Sequence, residues 1–274
     1  MYAGTTLTPL SGKILGAHQK IDRVSRRLLK DKLEDNSVFP STKQILHFEG
    51  YKGPDAIKRK SPSVDEPWHF YSPFDDEDSD LIKAIENHYN ELVKVLKSGN
   101  KERSAFESAW LAHALTDGLT PAHHYPYEEK LAELRGEGME SRDSVKEKVV
   151  MHGETKRETV SNNWKMWGPK GLMSTHGLFE LGVASLSKPL SFNGAEIMDS
   201  QIKEFSEIGV GEFFKRRARE IAVKDLYGRF YKKGWTLKLM VEVRKVLMPT
   251  IINTVSVAWY CAAKDAGLIK QEDK

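Results

Sequence analysis

The segment WLAHALTDGLTPAHHYP, residues 110–126, concentrates the reactive residue types of this chain. His113 and Asp117 are four residues apart. On a helix both side chains leave the same face and can share one metal ion. Pro121 ends that helix and turns His123 back towards it. A second pair, His176 and Glu180 in GLMSTHGLFELG, repeats the four-residue spacing inside a mostly apolar stripe, where an unpaired charge is costly. One HxxxD pair is weak evidence, because a half-buried His beside an Asp on a helix is a common structural pair. Two His/carboxylate pairs in apolar surroundings favour metal. His152, in the polar stretch HGETKRE, reads as a surface residue.

Composition narrows the chemistry. The chain has 274 residues, and its lone Cys261 excludes an internal disulfide and every CxxC zinc or redox arrangement, so any metal must use His and carboxylate. Forty-two Lys and Arg against 39 Asp and Glu leave a net charge of +3, which tolerates an anionic substrate without the basic excess of a nucleic-acid binder. With 39% hydrophobic and 30% charged residues, the chain reads as a folded globular protein, and we take residues 1–274 as one domain. No basic start followed by an apolar run marks a signal peptide, which implies a cytoplasmic protein, or a secreted one if the chain is a processed form. The uncharged run Val246–Ala263 contains Pro249, Thr250, Asn253, Thr254 and Ser256 and reads as a core helix rather than a transmembrane segment.

The elements that must position these residues are helical. Ile14, Ile21, Val24, Leu28 and Leu29 recur at helical spacing, as do Leu81, Ile82, Ile85, Tyr89, Leu92, Val93 and Leu96. Further helices are predicted at about 101–117, 141–160, 171–186, 197–207, 210–224 and 236–264, the last kinked at Pro249. The fold class is therefore all-α, a multi-helix bundle. Residues 36–79 and 120–127 read as long connections of the kind that carry function. The acidic run Asp75–Asp80 is expected to favour the N-terminal dipole of the helix that follows. The basic segments around Lys215–Arg219 and Lys232–Lys233 are expected to be solvated helix faces.

The pattern of His113, Asp117 and His123 followed by His176 and Glu180 resembles the zinc-dependent phospholipases C and the related single-strand-specific nucleases. These are all-helical proteins with a zinc cluster in a cleft. That family has an upstream Asp and His about fourteen residues apart, and Asp55 in GYKGPDAI precedes His69 in EPWHFY by 69 − 55 = 14. An early helix supplies one more histidine, for which His18 in ILGAHQKIDRVSRRLL is the match. The resemblance implies two to three zinc ions. Asp55, His69, His113 and Asp117 would hold one, and His123, His176 and Glu180 a second. His18, with Asp117 as a bridging carboxylate, would hold a third.

Ordinary alternatives stand beside this assignment. His18 also suits a packed residue paired with Asp22 on its own helix, and His69, between Trp68 and Phe70, suits a core histidine.

Two departures from the family matter. Its N-terminal tryptophan, which chelates the third zinc, has no counterpart among the 17 residues before His18. The third ion therefore needs a new N-terminus exposed by processing, the Met1 amine folded back, or a substitute ligand. The 53 residues from His123 to His176 exceed the family spacing, so residues 125–170 are expected to be an insertion near the site mouth.

The activity implied is phosphodiester hydrolysis by a zinc-bridging hydroxide, with Asp55 orienting the attacking oxygen or accepting its proton. Glu180 in place of Asp resembles the lipase branch, so phospholipid is favoured over single-stranded nucleic acid as substrate. Trp68, Phe70, Tyr71, Tyr125, Tyr127, Trp164 and Trp167 fall in or near the ligand loops and suit either packing or substrate contact. The non-enzymatic alternative is a zinc-stabilised helical binding protein.

Overall fold

The computed structural model describes residues 1, 16–30, 32–33, 35–50, 52–60, 69–138, 141–187, 192 and 194–269. Ile14 and Trp68, used in the sequence argument, lie outside the described residues. Among the described residues there are helices and turns and no strand, as the helical periodicity predicts.

The core forms around α12 (Met248–Asp265), in which Ile251, Ile252, Val255, Val257, Ala258, Trp259 and Ala262 are fully buried. A helix apolar on nearly every side must be covered on every side. The cover comes from α1 (Ala17–Lys30), α4 (Asp80–Lys97), α5 (Lys101–Gly118) and α9 (Asp199–Ala222). Its few polar groups are paired across those contacts. Ser25 Oγ donates to the Ile252 carbonyl at 3.1 Å, Trp259 Nε1 to the Ser108 carbonyl at 3.1 Å, and Tyr89 OH to Asp265 at 2.6 Å. The stretch Leu237–Asp265 is long and apolar enough to cross a membrane, but 83% of its most apolar window is buried inside the protein, as a core helix requires.

The helix predicted over 236–264 is divided more sharply than a kink. A short α11 (Leu237–Glu242) runs into a π-turn at Val243–Leu247 before α12 begins with Pro249 in its first turn. Proline lacks an N–H and its ring crowds the carbonyl four residues back, so the turn before it widens. Gly209, at φ +77°, breaks α9 between the two helices predicted at 197–207 and 210–224.

Other expectations are corrected. The connection predicted over 36–79 contains α2 (Thr42–Glu49) and α3 (Pro54–Lys60). α2 begins at a capping box in which Ser41 and Gln44 satisfy each other's backbone N–H groups. The helix predicted over 141–160 is replaced by a 3₁₀ turn at Val145–Lys148, an irregular stretch, and α7 (Lys156–Trp167). A second capping box, Thr155 with Glu158, sets that start. Two further helices, α6 (Tyr127–Arg135) and α10 (Leu226–Lys233), fall where none was predicted, and α8 (Leu172–Ser187) falls where expected.

The acidic run serves its own loop more than a helix dipole. Asp78 accepts from the Ser72 N–H at 2.8 Å, Asp75 from that of Glu77 at 2.9 Å, and Asp76 pairs with Arg219. Of the run, Asp80 lies in the first turn of α4. The basic face of α9 is solvated and ion-paired: Arg216 and Arg217 meet Glu204, at 3.3 and 2.6 Å.

Candidate metal centre

Every position proposed as a ligand converges on one region between α1, α3, α5 and α8. Helix α5 brings His113 and Asp117 one turn apart on its inner face. Its close approach to the core depends on Gly118, where a Cβ would lie 2.5 Å from the Phe214 ring and 2.6 Å from Leu81. The chain then turns through a 3₁₀ segment, Pro121–His124, which presents His123. His18 lies in the first turn of α1, Asp55 in the first turn of α3, and His176 and Glu180 on α8. His18, His69, His113, Asp117 and His123 are all buried, whereas the Asp55 side chain keeps 24% of its exposure.

Asp117 divides its two oxygens between two donor sets. Oδ2 lies 3.3 Å from His69 Nδ1 and 3.0 Å from His113 Nε2, which is 3.9 Å from Asp55 Oδ1. The edge of a zinc tetrahedron with ligands at ordinary bond lengths is about 3.4 Å. These separations bracket that edge. Oδ1 lies 3.1 Å from His18 Nε2 and accepts a hydrogen bond from the Met1 amine.

The second carboxylate, Glu180, gathers the remaining donors through Oε1. His123 Nε2 is 2.8 Å away, His176 Nε2 3.0 Å and the Met1 amine 3.2 Å. The rings of His123 and His176 stack with centroids 5.1 Å apart.

Sequence reasoning missed Glu49. It ends α2 and is fully buried, and its Oε1 lies 3.0 Å from His113 Nδ1 and 3.5 Å from His18 Nδ1. A carboxylate only accepts, so Glu49 holds the His113 proton on Nδ1 and leaves Nε2 facing Asp55 and Asp117. The signal was present but faint. Glu49 follows Ile45 by one helical turn, on the buried face of α2. The alternative pairing of His18 with Asp22 is not formed: the carboxylates close to His18 are Asp117 and Glu49, and its ring stacks on His113 at 4.2 Å. Asp22 is also buried, and burial together with the nearby Glu49 pushes its carboxyl well above the usual range.

The carboxylates of the site are held ionised by cationic neighbours, and, against the burial that would lower it, Glu49 and Asp117 in turn push the His113 imidazole up. Burial alone would raise the carboxyls of Asp55, Asp117 and Glu180, but the surrounding histidines and the Met1 amine outweigh it and hold all three below their ordinary values. Burial lowers His123 to about 4, helped by the Met1 amine, so its ring is neutral. Its Nδ1 donates to the His69 carbonyl at 3.1 Å. The remaining lone pair, on Nε2, therefore faces a carboxylate oxygen, an arrangement that a cation between them turns from repulsive to favourable. Neither ring nitrogen of buried His18 makes a hydrogen bond among the described residues, nor does Glu49 Oε2. Three donor groups have ligand atoms mutually within 4.8 Å: Asp55, His69, His113 and Asp117; His18, Glu49 and His113; and His123, His176 and Glu180. The donor set is nitrogen and oxygen without sulfur, a set that could hold a divalent metal ion.

The aromatic residues divide. Phe70 and Tyr127 stack on each other at 5.7 Å and pack against His123 and His176, while Tyr71 goes to the core against Phe214. Trp164 and Trp167 stand exposed on α7.

No family model matches this chain, and no curated protein matches its sequence. Among solved structures it is similar to the crystal structure of Clostridium perfringens alpha-toxin isolated from avian strain SWCP, with a TM-score of 0.55 and 15% sequence identity. The match covers 91% of this chain and 64% of the toxin, so the chain spans less than two thirds of the toxin's length. At that identity the likeness is one of fold: the chain has the all-α fold of the phospholipase C type.

Proposed function

We propose that this chain is a zinc-dependent phosphodiester hydrolase whose substrate class is phospholipid. The observation that carries the reading is the division of Asp117: Oδ2 faces His69 and His113, with Asp55 beside His113, while Oδ1 faces His18 and also accepts from the Met1 ammonium. A carboxylate shared in this way, beside a third donor set, is an arrangement for neighbouring ions. Such ions, when bound, supply a water of lowered pKa and positive charge to stabilise the attacked phosphate.

The protein's own groups divide the remaining work. Asp55 is anionic and more exposed than the other donors of its group. It is placed to orient an attacking water and accept its proton. Glu49 keeps His113 in the tautomer that offers Nε2 to the site, and the His69 carbonyl does the same for His123. Phe70 and Tyr127 wall the His123 and His176 side with apolar surface.

Phospholipid is favoured over single-stranded nucleic acid by two features. Glu180 matches the lipase branch of the resemblance. The basic residues of α9 that a nucleic-acid backbone would need, Arg216, Arg217 and Arg219, are engaged with Glu204, Glu220 and Asp76.

The test is hydrolysis by zinc-loaded protein of dispersed phosphatidylcholine and of a nitrophenyl phosphodiester, with Asp55→Asn beside it. A zinc-dependent rate that falls at least about hundredfold in the variant is expected. Absence of turnover on both substrates by protein carrying two or more zinc ions would refute the reading and leave the zinc-stabilised binding protein in its place.

A further inference from the structure

Helix α7 (Lys156–Trp167) is built inside out. Its apolar residues Val160, Trp164 and Trp167 follow one another at spacings of four and three, one face of a helix, and that face points to solvent. Val160 is 70% exposed, Trp164 68% and Trp167 43%, and Leu178 of the neighbouring α8 adds a 54% exposed side chain. Together they line a groove of about 650 Å³ with Thr159 and Asn163.

The inward face is held by the buried Met166 side chain and by polar contacts. Asn163 donates to the Met151 carbonyl at 2.7 Å and accepts from its N–H at 3.1 Å, while the Trp167 indole donates to the Val149 carbonyl at 2.7 Å. In an ordinary surface helix the apolar stripe faces the core; here Met166 and the Asn163 amide face in, while Val160 and Trp164 face out.

Basic residues outnumber acidic ones around this face, with Glu154 and Glu158 exposed at its start and Glu133 in the pocket that Lys165 and Lys170 line. Lys156, Arg157, Lys165 and Lys170 are exposed, and none of them forms an ion pair among the described residues. Glu158 is the sole acid from 156 to 178, and its carboxylate is occupied by the Thr155 N–H at 3.2 Å. The contrast with α9, whose arginines are paired, is plain.

We propose that the α7–α8 face docks onto an anionic phospholipid surface, with Trp164, Val160 and Leu178 entering the headgroup boundary and the four basic residues meeting lipid phosphates. A face that combines tryptophan with unpaired basic charge suits the membrane interface, where an indole is half wet and Lys and Arg meet negative lipid. Twelve residues of helix span about 18 Å, too short to cross a bilayer, so α7 lies on the surface. Leu178 is offset by two residues from both His176 and Glu180 and so lies on the opposite side of α8, which keeps the docking face distinct from the candidate metal centre. The inference goes beyond the hydrolase reading and does not depend on turnover.

The test is sedimentation with vesicles of phosphatidylcholine alone and of phosphatidylcholine with an equal part of phosphatidylglycerol. The full chain is used in an Asp55→Asn background, so that any lipid hydrolysis is removed from the readout. Binding to the anionic vesicles is expected, with a blue shift of tryptophan emission and weakening as salt rises. Trp164→Ala should weaken binding about tenfold. Lys165→Gln and Lys170→Gln should each weaken it roughly fivefold. Both kinds of variant alter exposed side chains, and circular dichroism confirms that they fold.

Failure to bind anionic vesicles overturns the proposal, as does binding undiminished in Trp164→Ala and in the lysine variants. A concentration-dependent dimer in sedimentation equilibrium that Trp164→Ala dissociates, without vesicle binding, would assign the face to a second copy of the chain instead. Hydrolysis of the soluble nitrophenyl substrate by the unmodified protein is a separate result and bears only on the hydrolase reading.

Discussion

Removal of the Glu49 carboxylate tests whether this residue positions the centre or belongs to it. Glu49 is fully buried; its Oε1 accepts from His113 Nδ1 at 3.0 Å and lies 3.5 Å from His18 Nδ1. The closer contact is a hydrogen bond to an ionised acceptor, of a kind that contributes about 1.5–3 kcal/mol. Carboxylates that orient metal-bound histidines are worth about 10–100-fold in affinity or activity, which converts to about 1.4–2.7 kcal/mol. The two estimates agree, so Glu49→Ala should weaken zinc binding by about one to two orders of magnitude.

Competition with a chromophoric chelator reads that loss, and metal counting by mass spectrometry reads stoichiometry. The expected result is an unchanged number of ions at saturating zinc, a weaker affinity, and a parallel fall in kcat/KM on the nitrophenyl phosphodiester. Glu49→Gln keeps an acceptor oxygen and should fall between the wild type and Glu49→Ala. Affinity within about twofold of wild type in Glu49→Ala would refute the positioning role. A count that drops by one ion while the others bind normally would mean that Glu49 is a ligand.

His124 makes the metal-free protein sensitive to mild acid. Burial lowers this imidazole to about 4, with a smaller opposing effect from its 2.8 Å contact to the Gly118 carbonyl. Because the folded state holds it neutral, its contribution is fully present above the unfolded value near 6.5 and is lost as pH falls from there towards 4, by at most about 3 kcal/mol. Denaturant midpoints measured between pH 7 and 4 should lose that slope in His124→Gln, and an unchanged slope would show that other groups carry it. Gly118→Ala forces a methyl against Phe214 and Leu81 and should lower stability by about 1–3 kcal/mol, read as a drop in Tm; an unchanged Tm would mean that the α5 contact relaxes freely.

The sequence by itself determined the helical class and the pairing of the donors within each helix. Four-residue spacing is a local property: once α5 and α8 form, His113 must face the same way as Asp117, and His176 the same way as Glu180. The apolar character of α12 likewise required burial on all sides, whatever the partners.

What only the tertiary structure decided involves groups that share no period. Glu49 reaches His113 from 64 residues away through the packing of α2 on α5, and nothing in QILHFEG distinguishes its carboxylate from a surface glutamate except one turn of spacing from Ile45. The Met1 amine meets Asp117 across 116 residues, a contact that no local pattern encodes. The helix expected over 141–160 starts only at Lys156, after the capping box of Thr155 and Glu158, and which of its faces would be covered was not readable either. Periodicity predicts a helix with an apolar stripe, and the default is to bury that stripe. Here the inward contacts of Met166 and Asn163 leave Val160 and Trp164 outside, because the orientation of a helix depends on what its neighbours offer in three dimensions.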